Sequence, residues 1–168
     1  MTYRLDSDVI IPYDKFEPID KNTKDNERWT WEEVKEKVDK KSKMVLQFVL
    51  HCSTPSKREN YIKELAKYID VKIFGRCSGD SNCEKECEKN EIDQHMFYLS
   101  FENSICKDYV TEKFWRLKQI IVPIVMNREI HQHIAPNGSC IAASDFKSPK
   151  ELANFLKQLA SNKEEYIK

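Results

Sequence analysis

A chain of 168 residues has room for one domain with a real core. An apolar share of 40% beside a charged share of 33% describes a globular protein rather than a disordered one. Lys plus Arg equal Asp plus Glu at 28 each, so the basic imbalance that a nucleic-acid binder carries is missing.

Residues 1–28 are polar and interrupted by Pro12 and Pro18, and they read as a connecting arm. No basic start precedes an apolar core there, so they do not read as a signal peptide. Taken alone, the chain would stay in the cytosol. Taken as a piece of a longer protein, it would have its targeting segment elsewhere. Thr30 and Glu33 have the spacing of a capping box, and Trp31, Val34 and Val38 then share a face, which predicts a helix to about Lys40. Residues 44–50 form the longest apolar run, and it has the length of a strand, not of a membrane span. Ser56 with Glu59 predicts a capped helix through Tyr68, with Tyr61, Ile62, Leu65 and Ala66 inward.

Residues 71–74 form a short strand ended by Gly75, and the cysteine-rich stretch 77–94 reads as loop plus a short helix. Strands follow at 96–101 and 121–125, with a helix over 110–119 between them. A short helix over 128–134 and a fifth strand at 140–143 come next. Ser148, Pro149 and Glu151 supply an N-cap, a first-turn proline and a capping box for a helix to about Ala160. Strands alternating with helices imply a Rossmann-like α/β fold, a parallel sheet with helices on both faces.

The six cysteines fit an oxidising compartment, although reduced thiols fit too. Cys77, Cys83 and Cys87 lack the tighter pairing of a structural zinc site and favour disulfides or thiols over metal. Asn137-Gly138-Ser139 is an acceptor pattern for N-glycosylation. With three glycines in all, the chain has no glycine-rich dinucleotide fingerprint.

The chemistry concentrates in the loop and helix from Glu102 to Lys113. Asn103, Ser104 and Tyr109 offer hydrogen-bonding groups just past a strand end, where open α/β sheets bind ligands. Backbone N–H groups at the next helix start favour an anion. Lys113 adds a full positive charge, and Glu112 adds two acceptor oxygens suited to sugar hydroxyls; an ordinary solvated ion pair is the plainer alternative. Arg58 opens the helix after the first strand, so it should share the same sheet edge and could grip a phosphate with two hydrogen bonds.

These residues carry a family resemblance. FYLSFENSICKDYVTEKFWR, residues 97–116, closely resembles the signature of the α1,3-fucosyltransferase family. MTYRLDSDVIIPY resembles the family's arm, CSTPSKRENYIKEL the opening of its donor domain, and VPIV, IAP and DFKSPKELANFLKQL its last strands and helix. The resemblance spans almost the whole chain.

It implies the C-terminal half of a two-domain GT-B glycosyltransferase. Residues 29–168 would be the GDP-fucose (donor) domain, incomplete at its C-terminus, with the N-terminal acceptor domain absent. Arg58 and Lys113 would hold the diphosphate, and Asn103, Tyr109 and Glu112 would surround ribose, phosphates or fucose. The reaction would be inverting transfer of L-fucose to a glycan of a glycoprotein or glycolipid. No cofactor or metal would be required, and the catalytic base would come from the missing half. The place would be the luminal face of the Golgi membrane, through an anchor outside this chain. The alternative is a truncated GDP-fucose-binding module without turnover.

Three departures from the family stand out. Ile120 replaces a usual glycine, and would be strained if the backbone there needed positive φ. Cys140 replaces an aromatic, and Ala143-Ser144 replaces an acidic pair.

Overall fold

The structure is a computed structural model that describes residues 2–21, 23–24, 28–79, 83–115 and 119–167. Five short strands make one sheet: β1 (Lys43–Phe48), β2 (Val71–Phe74), β3 (His95–Leu99), β4 (Val122–Val125) and β5 (Ile141–Ala142). Their order is β2-β1-β3-β4-β5, and every neighbouring pair is parallel. The helices are α1 (Trp31–Asp39), α2 (Arg58–Leu65), α3 (Lys85–Gln94), α4 (Glu112–Trp115), α5 (Arg128–His131), α6 (Pro149–Ser161) and α7 (Lys163–Tyr166). Parallel neighbours need long crossovers, and these helices and loops provide them.

Side-chain alternation assigns the two faces. Val45, Phe97, Leu99 and Ile124 point toward α1, α2, α6 and α7, where they meet Val38, Ile62, Leu65, Leu152, Leu156 and Tyr166. On the other face Leu46 and Tyr98 meet Ile92 of α3, while Val125 and Ala142 meet Phe114 and Trp115 of α4. Helices therefore cover both sides, as the alternation implied. The central strand β3 is buried at every position, which is why HMFYL is a nearly unbroken apolar run.

The α1 capping box forms as expected: Thr30 Oγ1 accepts from the Glu33 N–H at 3.2 Å, and Glu33 accepts from the Thr30 N–H at 2.8 Å. At α6, Ser148 caps the Glu151 N–H, but the Glu151 carboxylate accepts from the Lys147 N–H, one residue before the cap.

The expected Ser56–Glu59 cap of α2 is wrong. Lys57 occupies the cap position with φ 55 and makes no side-chain cap. Ser56 is committed elsewhere: its hydroxyl donates to the Glu102 carbonyl at 2.8 Å and its N–H to the Asn103 carbonyl at 2.9 Å. Thr54 takes over Glu59, donating from Oγ1 at 2.9 Å. The helix also stops at Leu65, and Ala66 is exposed rather than inward.

The expected helix over 110–119 is confined, among the described residues, to Glu112–Trp115; residues 116–118 lie outside the description. Ile120 is not strained. Among the described residues, the non-glycine positions with positive φ are Lys57 and Asp108, and Ile120 packs half-buried against the main core.

Gly75 has φ +112, and a Cβ there would stand 2.1 Å from the Val49 carbonyl oxygen. That contact lets the chain leaving β2 cross tightly over the end of β1. Cys52–Cys77 joins the loops after β1 and β2, and Cys83–Cys87 closes the start of α3; Cys106 and Cys140 are thiols.

The described part of the arm is irregular apart from one bridge between Thr2 and Ile10. It lies along the segment before α4. The Leu5 N–H donates to Asp108 at 3.1 Å, Tyr3 meets Tyr109, and Phe16 meets Phe114 and Trp115.

Candidate functional site

The strand order reverses between β1 and β3, because the chain runs from β1 outward to β2 and then returns to the other side of β1. Open α/β sheets bind ligands at such a switch point, outside the carboxyl ends of the strands. A cleft of about 300 Å³ lies there. Val49, Leu50 and His51 enter it from the end of β1, Gly75 from the end of β2, and Asn103, Glu112 and Lys113 from the segment after β3. Phe48, Phe74 and Tyr98 form an aromatic wall, with Phe48 stacked on Phe74 at 5.7 Å.

Arg58 is 2% exposed and borders the cleft from the first turn of α2. Its Nη1 donates to the Phe101 carbonyl and its Nη2 to the His51 carbonyl at 3.4 Å. The guanidinium therefore ties the loops after β3 and β1 together. Burial draws its pKa below the ordinary arginine value, opposed by the charge of Glu102. Its Nε is buried without a hydrogen-bond partner among the described residues, as is Asn103 Oδ1.

Lys113 is held by three groups: Thr111 Oγ1 at 2.9 Å, Glu102 Oε2 at 3.1 Å and Glu112 Oε1 at 3.2 Å. Glu102 is buried, whereas the Glu112 side chain is 58% exposed. For the Glu112 carboxyl, burial pushes its pKa up, but Lys113 and hydrogen bonds to the backbone and Thr111 outweigh it and hold the value down.

Four of the five residues singled out from the sequence thus border one cleft: Arg58, Asn103, Glu112 and Lys113. Tyr109 does not. Its ring meets that of Tyr3 at a tilt, 5.2 Å between centroids, and it borders a separate small cavity with Ser100, Asn127 and His131. Burial raises its pKa first, and Glu102 adds to the rise.

The N–H groups at the start of α4 are not the open anion cradle that the sequence suggested. The Thr111 N–H donates to Glu102 at 2.7 Å, and the Lys113 N–H is turned to Thr111 Oγ1 at 3.4 Å. A four-residue helix also has too few aligned peptides for a strong dipole.

Glu102 is the residue that motif reading passed over. It receives the N–H and hydroxyl of Thr111 and the ammonium of Lys113, and so shapes the whole turn. The signal for it was a carboxylate placed directly after the buried run YLSF, because a charge at that depth needs partners. Among the described residues, no group of three His, Cys, Asp or Glu side chains could hold a metal ion.

Residues 38–168 match glycosyltransferase family 10 (fucosyltransferase), C-terminal region. The chain belongs to this family. It is 42% identical over 138 residues to alpha-(1,3)-fucosyltransferase fut-1 of Caenorhabditis elegans, covering 77% of this chain and 31% of that protein. It is 39% identical over 173 residues to glycoprotein 3-alpha-L-fucosyltransferase A of Drosophila melanogaster, covering 98% of this chain and 33% of that protein. The chain thus spans about a third of the length of these relatives. A crystal structure of an α1,3-fucosyltransferase with GDP shares the fold, with a TM-score of 0.62 and 22% identity over 76% of this chain and 37% of that one.

Proposed function

We propose that the cleft between the ends of β1 and β3 binds GDP-fucose and serves the transfer of L-fucose to a glycan, by α1,3 linkage with inversion. The observation that carries this reading is the meeting of Arg58 and Lys113, 55 positions apart in sequence (113 − 58), at one cleft on the carboxyl edge of the sheet. Family membership supports it as well.

In this reading the diphosphate lies between Arg58 and Lys113, and the aromatic wall of Phe48, Phe74 and Tyr98 flanks the guanine. Asn103 and Glu112 address ribose, phosphate or fucose, while Tyr109, outside the cleft, holds the arm through its ring contact with Tyr3. The bond between fucose C1 and the β-phosphate oxygen breaks, and its electron pair stays on the phosphate. The two cations stabilise that growing charge, the task a metal ion performs in other transferases, so the reading requires no cofactor. The acceptor hydroxyl attacks C1 from the opposite face, and a carboxylate outside these 168 residues takes its proton. We place the reaction at the luminal face of the Golgi, on glycans of glycoproteins or glycolipids.

A second reading is a donor-binding module without turnover. It rests on the match to the C-terminal region of the family. Titration with GDP-fucose, followed by incubation with a lactosamine glycan, separates the readings. Fucosylated product supports transfer, and binding without product supports the module. Failure to bind GDP-fucose overturns both.

A further inference from the structure

We infer that Asn137 is a site of N-linked glycosylation. Asn137-Gly138-Ser139 is the one acceptor triplet of the Asn-x-Ser/Thr form in the sequence. Three independent structural observations bear on it, and none depends on the donor-site reading.

The first is the shape of the segment. The Ser139 N–H donates to the Pro136 carbonyl at 3.1 Å, and Gly138 has φ +83, which is the backbone of a tight turn with glycine at its third position. Asn137 stands at the second position, exposed, with Pro136 and Gly138 exposed on either side. Nothing approaches within 4 Å of the position a Cβ would take on Gly138, so the turn projects from the body of the domain. A bulky, solvated sugar chain can be carried there without moving the core.

The second is location. The turn leads directly into β5, and all strands are parallel, so it lies at the amino edge of the sheet. The cleft lies at the carboxyl edge, around β1, β2 and β3, whereas β5 is the far strand of the order. A glycan on Asn137 therefore leaves the cleft open.

The third is redox chemistry. Cys52–Cys77 and Cys83–Cys87 are both bonded, which is the state proteins reach in the lumen where glycans are attached. There the host transferase joins the Asn137 amide nitrogen to C1 of a lipid-linked oligosaccharide diphosphate. The C1–O bond to the diphosphate breaks, the lipid diphosphate leaves with the electron pair, and the amide gives up one proton.

The test is to translate the full chain behind a heterologous signal peptide in the presence of microsomes, scoring only protease-protected chains with both disulfides intact. The expected result is one glycan, seen as a single endoglycosidase-sensitive shift and assigned to Asn137 by peptide mass. Asn137→Gln and Ser139→Ala should each abolish the shift, and Ser139→Thr should keep it. Protected, disulfide-bonded wild-type chains with an unmodified Asn137 would overturn the proposal, and so would a shift that survives in both Asn137→Gln and Ser139→Ala.

Discussion

The ammonium of Lys113 lies 3.1 Å from the carboxylate of Glu102, a residue eleven positions earlier and almost fully buried. The same carboxylate accepts the N–H of Thr111 at 2.7 Å, so a single side chain fixes both the turn before α4 and the cation that borders the cleft. Glu102→Ala leaves the buried Thr111 N–H without its acceptor and takes from Lys113 one of its three partners. It should lower stability by about 2–3 kcal/mol, the range for hydrogen bonds to charged groups. Glu102→Gln keeps an acceptor for Thr111 and should cost less. Urea melts of the two variants give the order, and equal losses would mean that the retained amide acceptor contributes nothing and the charge everything.

Gly75→Ala should be among the most damaging single-methyl changes in the chain. The added carbon meets the Val49 carbonyl at 2.1 Å, and the φ of +112 is unfavourable to any side chain. Strand ends on both sides of the cleft must then shift, at a cost of at least about 2 kcal/mol. A thermal melt within experimental error of the wild type would show that the crossing can relax.

His95 and His131 are buried, and burial is the main cause that holds both below the ordinary imidazole value, each opposed by a backbone carbonyl at its Nδ1. The unfolded chain takes up their protons near about pH 6.5, the folded chain only at lower pH. The unfolded state therefore binds more protons in that window, and stability must fall as pH drops below about 6.5. It is fully present above that pH. His131→Gln removes part of the dependence, so its melting temperature should decline less than the wild type's between about pH 7 and pH 5. Parallel declines would exclude His131 as a contributor.

Much of this was legible from the chain itself. Alternation of apolar runs with capped helices determines a parallel sheet covered on both faces, and the caps at Thr30 and Ser148 are local enough to read directly. Arg58, Asn103, Glu112 and Lys113 could be gathered at one edge because parallel topology sends every strand's carboxyl end the same way. Local reading failed where a distant partner outbid a near one. Ser56 has the spacing of a cap, yet its donors are claimed by carbonyls of residues 102 and 103, which no window around Ser56 contains. The N–H groups before α4 seemed open to an anion because the carboxylate that fills them, Glu102, belongs to the end of the preceding strand segment. Tyr109 falls outside the cleft, and the arm supplies Tyr3 as its tilted ring partner, a contact of long sequence separation.

The decisive measurement is calorimetric titration of GDP into the wild-type chain and into Lys113→Ala, with folding of the variant checked by circular dichroism. If the diphosphate takes the Lys113 ammonium over from the protein carboxylates, as the donor-site reading requires, its loss should weaken GDP by roughly 10- to 150-fold, about 1.5–3 kcal/mol. An unchanged affinity in a folded Lys113→Ala chain would place the nucleotide elsewhere and contradict the cleft as the donor site.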